Sequence, residues 1–294
     1  MGHTTSPRPT IRLEDVARPK PGGNGRNPTV TRIDRIDRVV VESPLTIAVA
    51  GEVVATTMRT PGHDLDLTAG WLVSEAGLRG AGDILDMKAL AASARDDDED
   101  DANDDHESSE IDTVQVRLAP GIQPPRPRAY MTSSSCGVCS ADVIDAAPVP
   151  YAPLHSTGWR LVPSQALELI EQMRSRQKMF DLTGALHAAA LVGPESEVLY
   201  VREDVGRHNA VDKVIGRALV DGLMPLTDHV LVVSGRVSYE IVAKALSACI
   251  GAIVAVSGPT TLAVDTARRH DMLLIGFARD DRMNVYSGGE WVNG

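Results

Sequence analysis

From Pro163 to Phe277 the chain alternates helix-like and strand-like segments, and that alternation restricts this half to stacked α/β layers. Ala166, Leu167, Leu169, Ile170 and Met173 recur at near-helical spacing, with Ser164 near the start of a helix expected over Pro163 to Met179. Next come an apolar run, His187 to Val192, and a strand-like segment, Glu197 to Val201. Helices follow over His208 to Val220, Tyr239 to Ile250 and Thr260 to Arg269, interleaved with strands Val230 to Val233, Ala252 to Val256 and Met272 to Phe277. Val230-Leu231-Val232-Val233 and Leu273-Leu274-Ile275 have no polar alternation, as in strands covered by helices on both faces. Aromatic residues make up only 3% of the chain, so the core is built from Ala, Val, Leu and Ile. The expectation is a three-layer α/β sandwich over residues 161–294.

The first half reads differently. Residues 1–28, rich in Pro, Gly and Arg, are expected to be a disordered tail. Val39-Val40-Val41, Leu45 to Val49 and Glu52 to Ala55 are short β-type runs broken by Ser43-Pro44 and Ala50-Gly51, which suggests a meander. Thr60-Pro61-Gly62-His63-Asp64 forms a turn and helix start, the helix reaching about Ala76 and ending at Gly77. Ile111 to Leu118 alternates and should be a strand. Residues 29–130 therefore read as a smaller, mainly antiparallel β region. It is interrupted at about 94–110 by an acidic insertion expected to be disordered.

That insertion accounts for the charge of the molecule. Between Asp96 and Glu110 the chain carries ten Asp or Glu and no Lys or Arg, against a net charge of -11 for the whole. The remainder is near neutral and offers no broad basic face for nucleic acid. No segment approaches the ~18 apolar residues of a membrane span, and the N-terminus carries no signal-type apolar stretch. A cytoplasmic protein without a structural disulfide framework is the expectation from three cysteines.

Residues 131–160 contain the loop and linker where the chemistry should lie. Ser135-Cys136-Gly137-Val138-Cys139-Ser140 places two thiols among small polar residues, with nothing apolar to bury them. Such a pair serves as a redox dithiol, half of a zinc site, or a sulfur carrier. Other unusual residues cluster at strand–helix junctions, where α/β folds form their ligand crevices. His187 opens a strand. Arg207 and His208, in Arg202 to Asn209, precede a helix; their charges suit a phosphate, or alternatively pair with Glu203 and Asp204. Ser234-Gly235-Arg236 ends a strand. Phe277-Ala278-Arg279-Asp280-Asp281-Arg282 offers an aromatic and two arginines to a nucleotide, or alternatively forms a charged hairpin. No Walker loop or G-x-G-x-x-G accompanies them.

Several stretches occur in the order found in the FdhD family of formate dehydrogenase accessory sulfurtransferases, which the chain resembles from about Arg35 to Tyr286. They are Thr60-Pro61-Gly62, Ser135 to Cys139, Thr183-Gly184 with His187-Ala188-Ala189-Ala190, Arg202 to Lys213, Ser234-Gly235-Arg236 and Gly276 to Arg279. The resemblance implies a cytidine-deaminase-like sandwich in the second half. It implies a carrier that accepts sulfur from a cysteine desulfurase as a persulfide and passes it to molybdenum in the bis-molybdopterin guanine dinucleotide cofactor, which then enters formate dehydrogenase. Cys136 would hold the persulfide and Cys139 assist. Phe277 to Arg282 would touch the guanine dinucleotide part, for which GDP serves as a mimic, with His187, Arg207, His208, Ser234, Gly235 and Arg236 as further contacts. The family, and a cofactor with two pterins to share, imply a homodimer. Ser140 departs from the Gly that the family commonly has after the second Cys.

Other chemistries fit less well. Zinc deaminases need H-x-E followed by P-C-x-x-C, but Ala189 stands where the Glu should follow His187, and the Cys pair lies upstream. A thioredoxin-like role lacks the strand-then-helix frame around Cys136 and Cys139. Zinc held by that pair would need two more donors, for which His155 and His187 are the candidates. Cys249, in an apolar run, reads as helix packing. The alternative of a different class is a cofactor-binding chaperone without sulfur transfer.

Overall fold

The structure is a computed structural model that describes residues 4–15, 30–91, 111–127 and 147–293. Cys136, Cys139, Ser140 and the acidic insertion lie outside the described residues. The architecture is mixed α/β.

The second half is organised on a six-stranded sheet. Its strands are β7 (His187–Val192), β8 (Val198–Asp204), β9 (Val230–Val233), β10 (Ala252–Ala255), β11 (Leu273–Arg279) and β12 (Arg282–Ser287), in the spatial order β12-β11-β10-β9-β7-β8. β9, β10 and β11 run parallel, while β7 pairs antiparallel with both β8 and β9. Alternate residues of each strand feed two separate cores, which is why the strands lack polar positions. Ala188, Ala190, Val230, Val232 and Val254 face helix α2 (Pro163–Ser175), which buries Ala166, Leu169, Ile170 and Met173. Ala189, Leu191, Leu231, Val233 and Ile253 face the opposite layer, with α4 (Arg207–Val220), α5 (Tyr239–Ser247) and α6 (Thr261–Arg269).

The same core continues into the first half. β3 (Ser43–Val49), β4 (Glu52–Arg59), β5 (Ile84–Leu90) and β6 (Asp112–Leu118) form a sheet in the order β4-β3-β6-β5. Its outer pairings are antiparallel, but β3 and β6 run parallel. Helix α1 (Asp64–Ala76), closed by Gly77 in the left-handed conformation as its sequence implies, lies against α4. Their approach is as close as backbones allow. A Cβ on Gly70 would stand 1.9 Å from the Asp212 carbonyl oxygen, and one on Gly216 1.8 Å from that of Asp66.

Three expectations need correction. Within the supposed tail, β1 (Thr5–Asp15) pairs along its length with β2 (Val30–Val40) as a separate two-stranded ribbon. Pro7 and Pro9 suggest a coil, yet a ribbon has two free edges, and proline is tolerated where no ladder donor is needed. The meander therefore loses its first run, since Val39 and Val40 belong to this ribbon. β5, in front of the acidic insertion, escaped notice because all of its residues are half-buried or exposed, so no apolar run marks it. The expected single helix to Met179 stops at Ser175, and a short helix, α3 (Lys178–Thr183), follows.

Gly216→Ala is expected to lower unfolding free energy by about 1–3 kcal/mol, the range for forced overpacking. Gly82→Ala, with nothing within 4 Å of the added carbon, should leave it unchanged; urea titration of both variants checks this.

Candidate functional site

The C-terminal ends of β8, β9, β10 and β11 and the N-terminal end of β7 share one edge of the sheet, the edge at which α/β folds bind ligands. Its construction begins with a buried ion pair. Asp204 at the end of β8 is 0% exposed, and Lys213 on α4 is 1% exposed, with Nζ 2.6 Å from Asp204 Oδ2. The carboxylate also accepts from Thr60 N (3.2 Å), Gly206 N (2.8 Å) and Asn209 Nδ2 (3.0 Å). Lys213 donates to the Thr60 carbonyl at 3.0 Å, Asn209 to that of Met58 at 2.8 Å, and Val205 N to Thr60 Oγ1 at 3.1 Å. The Asp-Val-Gly-Arg-His-Asn run is thus a clamp on the Thr60-Pro61-Gly62 turn, and it fixes the start of α4.

The carboxylates of this run do not neutralise its arginines. Glu203 accepts from Met179 N (2.9 Å) and Phe180 N (2.7 Å) at the first turn of α3, and Arg202 pairs with Asp66 at 2.9 Å. Arg207 remains at the sheet edge, its Nε buried with no hydrogen-bond partner among the described residues. Burial, and then the charge of Arg236, depress its pKa. Gly235 passes so close to His187 and Arg207 that a Cβ there would lie 3.2 Å from His187 Nδ1 and 3.4 Å from Arg207 Cβ. His187, Arg207, Gly235 and Arg236 therefore form one cradle. Burial, followed by the positive Arg207, His208 and Arg236, holds the His187 imidazole below its ordinary pKa, so it is neutral at pH 7.

His208 turns inward. Its Nε2 lies 2.8 Å from Glu240 Oε2 and 3.1 Å from Ser238 Oγ, and the histidine bond depresses the Glu240 pKa. Ser234 Oγ accepts from Ala188 N at 2.9 Å, tying the loop after β9 to β7. Helices α4 and α5 start at this edge with no side-chain cap from Gly206 or Ser238, whereas Thr260 caps α6 by accepting from Ala263 N.

The Phe277 to Arg282 stretch divides. Arg279 pairs with Arg282 across the β11–β12 turn, the hairpin alternative weighed from sequence. Phe277 sits at a bulge with φ 53° and is 40% exposed; its ring lies against Gly258, beside the loops after β9 and β10 that Val237 and Pro259 bridge. Ala278 is buried toward α2. Arg279 and Asp280 line an open cleft of about 330 Å³ with Leu167, Glu168, Ile170 and Glu171 of α2. Asp281 and Arg282 are exposed at the turn and the first residue of β12. The nominated residues thus fall at one end of the sheet but on two sides of it. Sequence reasoning missed the roles of Thr60, Glu203 and Lys213, whose partners lie up to 153 residues away.

His155 and His187 are at opposite ends of the sheet, for His155 packs on Gly251 ahead of β10. It stacks between Trp159 and Trp291, with centroids at 4.6 and 4.2 Å. Among the described residues, no group of three His, Cys, Asp or Glu is arranged to hold a metal. Cys249 is buried, as expected.

The fold is mixed α/β, with a cationic cradle at its strand ends. The sequence matches the FdhD/NarQ family over residues 40–293, and the chain belongs to that family. It is 42% identical over 293 residues to the "Sulfur carrier protein FdhD" of Streptomyces avermitilis, covering 98% of this chain and 95% of that one. To the protein of the same name from Saccharolobus solfataricus it is 35% identical over 259 residues, covering 87% and 91%. A crystal structure from Desulfotalea psychrophila, of a proposed formate dehydrogenase accessory protein, superposes with a TM-score of 0.67 at 20% identity, covering 97% of this chain and 99% of that one. No described helix is long and apolar enough to cross a membrane.

Two measurements test this geometry. Lys213→Met leaves the Asp204 carboxylate buried and unpaired, and should cost about 3–5 kcal/mol in urea unfolding. Adding Asp204→Asn should recover part of the loss. Burial lowers the His155 pKa to about 4. Its unfolded form therefore binds more protons between pH 6.5 and 4, and stability should fall as pH drops through that window. His155→Phe, which keeps the stack, should flatten this part of the profile.

Proposed function

We propose that the protein is a sulfur carrier for formate dehydrogenase. It takes sulfur from a cysteine desulfurase as a persulfide on Cys136, assisted by Cys139, and delivers it to the molybdenum of a bis-molybdopterin guanine dinucleotide substrate before that substrate enters the enzyme. The observation that carries the ligand side is the cradle. Arg207 Nε is buried without a partner among the described residues, Arg236 stands beside it, and two helices begin there uncapped. This donor set fits a pyrophosphate. The names of the relatives support the sulfur side. The antiparallel β8–β7 pair followed by parallel β9, β10 and β11 supports the cytidine-deaminase-like reading of residues 161–294.

The roles divide accordingly. Arg207 and Arg236 bind phosphate, Phe277 offers a ring to a base, and neutral His187 is available for hydrogen bonding without adding charge. A thiolate at Cys136 attacks the donor's terminal sulfur, forming the persulfide and releasing the donor thiolate. Cys139 can then form a disulfide with Cys136 as the terminal sulfur leaves, and a dithiol reductant resets the pair. The protein acts in the cytoplasm, and a homodimer would share the two-pterin substrate across a two-fold axis.

Intact-mass measurement after incubation with a cysteine desulfurase and cysteine tests the carrier. The wild type should gain about 32 Da per sulfur, removable by reductant, and Cys136→Ala should not. Retention of GDP binding without any sulfur gain on the wild type would favour a cofactor-binding chaperone.

A further inference from the structure

The β1–β2 ribbon has one blunted edge and one open edge. Val41 N donates to the Thr4 carbonyl at 2.9 Å, and hydrogen-bonded pairs recur at every second residue of an antiparallel ladder. The odd-numbered residues of β2 therefore direct their backbone N–H and C=O groups to β1. Arg32, Asp34, Ile36, Arg38 and Val40 direct theirs the other way. On β1 the outward positions include Pro7 and Pro9, opposite Arg38 and Ile36, and proline has no N–H to offer a further strand. β2 has no proline over its eleven residues, and among the described residues no strand outside the ribbon pairs with it. Arg38 N instead donates to Asp37 Oδ1 at 3.0 Å, a local bond that a pairing strand replaces. Ile33, Ile36 and Val39 are exposed, Ile36 to 73%. A long uncovered edge of this kind is a template for another strand.

The sequence of β2 specifies which strand. A second copy of β2 meeting the first about a two-fold axis runs antiparallel to it, and one residue then lies opposite itself. Axes on Asp34, Arg35, Asp37 or Arg38 set a charge against its own copy. An axis on Ile33 places Arg32 opposite Asp34 but carries Asp37 and Arg38 past the start of the opposing strand at Val30, and axes nearer either end shorten the ladder. An axis on Ile36 matches the whole of Arg32 to Val40. Arg35 of one copy then lies opposite Asp37 of the other, Asp34 opposite Arg38, Ile33 opposite Val39, and Ile36 opposite itself. Pairing within the strand does not use up these charges. Arg35 and Asp37 lie on one face, joined at 3.1 Å, and Arg32 and Asp34 on the other, joined at 3.4 Å, with side chains 33% to 77% exposed. Two Arg35–Asp37 pairs set antiparallel close a ring of alternating sign, and Asp34 gains Arg38 of the other copy.

We propose that two copies of the chain join edge to edge through β2, about a two-fold axis at Ile36, into a four-stranded antiparallel sheet ordered β1-β2-β2-β1. Both outer edges of that sheet are β1 edges blocked by Pro7 and Pro9, so assembly stops at two. The interface gives a surface to the homodimer proposed above and does not depend on sulfur transfer.

Sedimentation equilibrium of the full chain under reducing conditions, together with oxidative cross-linking, tests this. The wild type should be a dimer. Arg35→Asp sets like charges opposite each other on both sides of the axis and should raise the dimer dissociation constant roughly tenfold or more, as should Asp37→Arg. Combining the two substitutions restores opposite charges in this register alone and should return the constant to that of the wild type. For the cross-link, Cys136→Ser and Cys139→Ser remove the loop thiols. The Cα atoms of a hydrogen-bonded antiparallel pair stand about 5.5 Å apart, within disulfide reach. Ile36→Cys in that background should therefore form an intermolecular disulfide, and Ile33→Cys should not. A monomeric wild type, a dimer unmoved by the charge reversals, or a cross-link with Ile33→Cys in place of Ile36→Cys would overturn the proposal. Sulfur gain on the wild type is read separately, which distinguishes failure of this interface from failure of the carrier.

Discussion

The ion pair between Asp204 and Lys213 is the interaction on which the site depends. A carboxylate and an ammonium taken wholly out of water repay their desolvation only if their remaining hydrogen-bonding capacity is met. Here it is met by backbone and side chains from two distant segments, Met58 to Thr60 and Glu203 to Asn209. The pair therefore fixes where the turn before α1 lies against the end of β8. It also fixes the first turn of α4, and with it Arg207. Asp212, the residue next to Lys213 on α4, repeats the device with Lys244, Nζ–Oδ1 at 2.7 Å and burial raising the Asp212 pKa. Because α1 and α4 touch through Gly70 and Gly216, no side-chain layer cushions an error in that placement.

The physics that hides residues also decided what could be read from sequence. β7, β9, β10 and β11 were legible because both faces are covered, which forces uninterrupted apolar runs. β5 and the ribbon were not. Their residues are largely exposed or half-buried, so the pairing leaves little trace in composition, and Pro7 and Pro9 suggest coil. The parallel β3–β6 pairing was likewise hidden, since it joins strands separated by more than sixty residues.

The candidate site divides along the same line. Arg207, Arg236 and His187 stood out because they are polar residues at the ends of otherwise apolar strands. The roles of Glu203 and Asp204 did not. Their proximity to Arg202 and Arg207 suggested local pairing, whereas one carboxylate holds the first turn of α3 and the other accepts Lys213. Local sequence shows that charges are clustered; only topology shows which of them cancel.

That distinction bears on what the cradle can hold. Had Glu203 and Asp204 faced the arginines, the edge would be neutral and self-satisfied, a structural network with no use for a ligand. Instead both carboxylates are committed to backbone donors and to Lys213, and Glu240 bonds His208. Burial first, and then the nearby charge of Arg236, depress the pKa of Arg207. Two like charges held together where one is partly buried cost free energy in the unliganded protein, and an anion placed between them recovers it. Neutral His187 adds a hydrogen-bonding group without increasing that repulsion. The placement of Arg207 at the strand ends thus rests on the Asp204–Lys213 salt bridge beneath it.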